Sequence, residues 1–166
     1  MLHHRHSLFR EGVTAGFLGA LVVAIFFFAI DLLRGHPLAT PNVLGQVILF
    51  QSRAPVAHVI DAAAVAGYTV LHFSAFIAIG VIATALFHAA INNPLARPAL
   101  LMLFIVFEAF FAGLTLMFSE ATRELFPLWS VLIANLLAAS VMGAYLWRSH
   151  PALKRAISRL PLGAGH

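Results

Sequence analysis

Four long apolar stretches, Gly12 to Ile30, Ala62 to Phe87, Pro98 to Ser119 and Leu125 to Trp147, contain between them a single Asp, Glu, Lys or Arg, which is Glu108. Each reaches the roughly 17 to 25 residues that carry a helix across a bilayer core. The pattern predicts an all-α integral membrane protein, a four-transmembrane-helix bundle. Its spans are placed at about 12–33, 62–90, 98–119 and 126–147, and residues 1–166 are read as a single domain. All eight prolines fall outside the span interiors, where a ring would remove a helical hydrogen bond and clash with the preceding turn.

Composition agrees with this reading. Apolar residues make up 61% of the chain and charged residues 10%, against about 25% charged in an ordinary soluble domain. Four spans and their short connections use nearly all 166 residues, so a separate aqueous catalytic domain has no room beside them. Without cysteine, disulfides, thiolate metal sites and cysteine nucleophiles are excluded. Arg5 and Arg10 precede the first apolar run as they would in a signal peptide, but the run is longer than a usual signal core. It ends in Asp31-Leu32-Leu33-Arg34 with no small-residue cleavage site, so an uncleaved first helix is expected.

The net charge of +4 comes from basic residues at the termini and loops, which points to lipid head groups and membrane orientation rather than nucleic acid. Arg5, Arg10, Arg97, Arg148, Lys154, Arg155 and Arg159 fall on one side of the expected bundle, and Arg34, Arg53 and Arg123 on the other. The positive-inside rule then places both termini in the cytoplasm, in a membrane taken to be a bacterial inner membrane. A basic amphipathic tail is expected over 151–160, resting on the cytoplasmic lipid surface.

The first connection is the only long one. Thr40 is read as an N-cap with Pro41 at the first helical position, which predicts a short interfacial helix over about 41–51 on the outer membrane face. Small residues recur at helix-packing spacing in Gly12-xxx-Gly16, Ala15-xxx-Gly19, Ala134-xxx-Ala138 and Ala139-xxx-Gly143, which suits close contact inside the bundle or in a homodimer.

Ionisable groups at membrane depth are expensive and turn toward one another or toward water. His72 and Glu108 are the two that lie well inside. At 100° per residue, His58, Asp61, Tyr68 and His72 fall within about 40° of one line along the second helix, with Thr69 beside it. A buried polar network of Tyr68, Thr69, His72, Glu108 and Asn135 is therefore expected, either joining the helices by hydrogen bonds or relaying protons or ions. Asp31, Arg34, His58, Asp61, Glu120 and Arg123 are expected on the outer face, as surface pairs, a partner-docking face or a pathway mouth.

The fourteen-residue spacing of His58 and His72 resembles the paired-histidine helix of membrane b-type cytochromes. Each haem of that family takes a second histidine from another helix, and no other span here carries one. The resemblance therefore implies at most a haem or chlorin held through a single axial His72, or across a dimer. No other cofactor and no metal is expected. His3, His4 and His6 are read as a solvated tail, and no E-x-x-H or H-E-x-x-H pattern supports a di-iron or zinc site. The expected activity is that of an accessory or assembly subunit of a larger membrane complex and not of an enzyme, in contact with lipid and with other membrane subunits or further copies. Its rivals are a proton or ion conductor using Glu108 and His72, and a redox subunit.

Overall fold

Apolar runs free of internal proline and bounded by turn signals fold as helices, and every element among the described residues is one. The computed structural model describes residues 2–93, 97–117 and 127–149. Along them lie α1 (Leu2–Leu33), α2 (Ala39–Ile48), α3 (Ala62–Asn92), α4 (Arg97–Met117) and α5 (Leu128–Ser149). Pro41 and Pro98 sit in first turns, where a missing N–H is tolerated, and Pro127 directly precedes α5. Its carbonyl accepts from the Ser130 N–H at 2.9 Å and the Ser130 hydroxyl at 2.7 Å, closing the first turn of α5.

Three helices are long and apolar enough to cross a bilayer, over Leu8–Leu33, Ala62–Ala90 and Leu128–Ser149. Only 28%, 22% and 28% of the most apolar stretch of each is buried within the molecule, so most of that apolar surface faces outward. Water would oppose such exposure and lipid does not. This is the architecture of a multi-pass membrane protein.

α1 and α3 run antiparallel and form the most extensive interface. Gly12, Gly16 and Gly80 make it possible. A Cβ on Gly80 would meet the Gly12 carbonyl oxygen and the Gly16 backbone, and one on Gly12 would come within 2.6 Å of Val81 Cα. The two backbones touch, and gain the dispersion contact that holds helices together where lipid supplies no hydrophobic drive. α5 also packs on α1, where Met142 approaches Gly19 and where Ala15, Ala20, Phe76, Ala134 and Ala138 form the core. Both Gly12-xxx-Gly16 and Ala134-xxx-Ala138 thus face inward. Gly143 has open space where its Cβ would stand. α4 leans on α3 and α5 through fewer contacts.

α2 lies across one end of the α1–α3 pair. Gly45 brings its backbone against Ala64, and Val43 and Leu44 pack with Phe27 and Tyr68. It begins two residues earlier than expected and ends three earlier. α1 is helical from Leu2, so the backbone of His3, His4 and His6 is part of that helix. The expected tail over 151–160 lies outside the described residues.

Candidate functional site

The α2 end of the molecule gathers most of the polar groups that the sequence marks out. α1 ends in a Schellman motif: Gly35, at φ +77°, donates to the Leu32 carbonyl, and His36 donates to the Asp31 carbonyl. Glycine suits this left-handed position because it has no Cβ to clash. The same turn points the Asp31 carboxylate at the start of α2, where it accepts from the Thr40 N–H at 2.7 Å and the Thr40 hydroxyl at 2.8 Å. A carboxylate at a helix N-terminus meets both unpaired N–H groups and the positive end of the dipole. Asp31 is 2% exposed, so it does not belong to an outer docking face. Thr40 is likewise no N-cap. Leu38 holds that position without a side-chain bond, and Asp31 supplies the missing acceptor from another helix.

Asn42, fully buried on α2, donates to the Val56 and Val59 carbonyls at 2.9 Å each and accepts from the Asp61 N–H at 2.9 Å. One turn on, Gln46 exchanges two bonds with Val56, at 2.9 and 3.1 Å. Together they fasten the connection that leads into α3. Asp61 caps α3 by accepting from Ala63 and Ala64, so it too closes a helix. His58 lies in the connection before α3 and is exposed, so it shares no helix face with His72, and the paired-histidine arrangement is absent. Arg34 stays exposed. Glu120 and Arg123 lie outside the described residues.

The expected buried network divides in two. His72 Nε2 lies 3.1 Å from the Ala20 carbonyl of α1. A carbonyl only accepts, so Nε2 carries the proton and a neutral ring keeps its lone pair on Nδ1. Tyr68 stacks on this imidazole at 5.9 Å and 22°, and Thr69 turns its hydroxyl back to the Val65 carbonyl of its own helix. Glu108 and Asn135 meet elsewhere, between α4 and α5, where Asn135 Nδ2 approaches Glu108 Oε2 at 3.4 Å, a long contact for a hydrogen bond. Glu108 Oε1 is shielded and has no partner among the described residues. Phe76 separates the halves, with its ring 4.8 Å from His72 and 5.9 Å from Phe107. Two helices that share a polar line in projection need not aim those lines at one point.

Beside His72 an open groove of about 290 Å³ runs between α1, the start of α2 and α3. A second hollow, about 240 Å³, lies between α3, α4 and α5 and includes Asn135 on its wall. Sequence reasoning missed the pair between Glu11 of α1 and His88 of α3, 3.1 Å apart. Its signal was position, since one residue directly precedes the first apolar stretch and the other directly follows the second. Among the described residues no three His, Asp or Glu side chains converge as a metal site would require. Comparison of the chain with known protein families, with curated proteins and with solved structures gives no match.

Proposed function

We propose that the chain is a four-span accessory subunit of a larger membrane complex, with α4 as the fourth crossing, α2 on the outer face and both termini cytoplasmic. The orientation rests on the seven basic residues of the terminal side against three on the other. The observation that carries the subunit reading is the unmet oxygen of Glu108. Asp31, Asn42, Gln46, Asp61 and His72 each hold one element of this chain to another or close a helix end. Among the described residues Glu108 Oε1 remains unmatched, at the face where α4 meets α5. A polar atom shielded from water without a partner is costly, and a donor from a neighbouring protein would relieve that cost.

The test is purification of the tagged protein from its native membrane in mild detergent. A stoichiometric membrane protein should accompany it, and Glu108→Leu should release that protein without lowering the melting temperature of the chain itself. The rival, proton conduction through Glu108 and His72, would have to pass Phe76. Purified protein in liposomes should hold an imposed pH gradient. A leak abolished by Glu108→Gln would overturn the subunit reading.

A further inference from the structure

The groove beside His72 combines features that narrow what can occupy it. Four of its lining residues carry aromatic rings, Phe27, Phe28, Tyr68 and His72. No Lys, Arg, Asp or Glu lines it among the described residues, so a phosphate or carboxylate would enter without a counter-charge. Tyr68 and His72 lie roughly 10 to 16 Å along α3 from the Asp61 cap, at 1.5 Å per residue, beyond the reach of a charged head group held at the interface. The walls nevertheless offer hydrogen bonds. Because His72 Nε2 is committed to the Ala20 carbonyl, Nδ1 is left as an acceptor, and no described residue is hydrogen-bonded to the Tyr68 hydroxyl, which can donate. The volume, about 290 Å³, is at the low end of ligand cavities, enough for a small ring and short of a large macrocycle.

We propose that this groove binds the head ring of a lipid-soluble quinone, its prenyl tail leaving past the exposed side chains of Ile25 and Phe28 into the bilayer. A flat, uncharged ring suits the aromatic walls, since offset and edge contacts between rings add to simple burial. A quinone carbonyl would accept from the Tyr68 hydroxyl, and a quinol hydroxyl would donate to His72 Nδ1. The stack of Tyr68 on His72 holds both groups in place before a ligand arrives. The proposal concerns binding and does not depend on the subunit role of Glu108, which lies on the far side of Phe76.

The experiment is photolabelling of the protein in nanodiscs with an azidoquinone, competed by decylubiquinone or by decanol, with the labelled peptides mapped by mass spectrometry. Label is expected within 23–28 of α1 and 68–72 of α3, displaced by decylubiquinone and not by decanol. Ala24→Trp, which fills the groove, should remove the label. Tyr68→Phe keeps the ring and loses one hydrogen bond, and should raise the half-displacing concentration about fivefold. Label spread evenly over lipid-facing residues, equal displacement by decanol, or an unaltered pattern in both variants would overturn the proposal.

Discussion

Asp31 is the residue on which the α2 end turns. Its carbonyl closes α1 by accepting from His36, and its carboxylate opens α2 by accepting twice from Thr40. Asp31→Ala leaves the Thr40 N–H and hydroxyl buried without an acceptor, and should lower the unfolding free energy by about 2 kcal/mol, measured by denaturation in detergent. Asp31→Asn, which can still accept, should lose less. The sequence marks Asp31 and Asp61 as charges at span boundaries but does not say what they bond to. Apart from the Thr40 hydroxyl at Asp31, their partners are backbone N–H groups, which every residue but proline possesses and no motif records. Gly35, directly after the apolar run, was the available clue to the helix end that aims Asp31. His72 was legible as a polar residue at depth. Its partner was not, because a carbonyl of α1 carries no signature in the residue that bears it.

Among the elements, α1 and α3 form the part whose geometry leaves least freedom. Gly80→Ala would drive a Cβ into the backbone of Gly12 and Gly16, and should cost about 1 to 3 kcal/mol, read as a lower melting temperature in detergent. Gly143→Ala faces open space and should leave the melting temperature unchanged. The sequence presents Gly143 as a member of a packing motif and leaves Gly80 unmarked, since a motif states spacing and not what stands opposite. The third span from the sequence ends at Ser119, beyond the last described residue of α4, whereas 62–90 for the second closely matches Ala62–Asn92. His88 shows where fixed rotation misleads. Counted at 100° per residue it opposes His72, yet both meet α1, along with Phe76 and Gly80 between them. These residues form a row of four-residue steps, and helices pack along such inclined rows instead of along a straight projected line.

On the scale of the whole molecule, the contacts among the described residues are uneven: α1, α2 and α3 are held by glycine seams and buried hydrogen bonds, whereas α4 shows fewer. With four crossings, N- and C-terminal tags should react with a membrane-impermeant reagent only after the membrane is opened on the cytoplasmic side. Tags that label from opposite sides would mean three crossings. The all-helical, membrane-crossing character was legible because this much apolar surface is a property of composition. The division of the polar network was not, because it depends on how each helix is rotated about its axis. The glycine seam has one more consequence. With the backbones of α1 and α3 in direct contact from Gly12 to Gly16, no acyl chain can thread between them, and the seam acts as a gasket. The groove beside His72 opens instead where α2 begins, between α1 and α3, so an occupant would enter past the start of α2 and not along the seam.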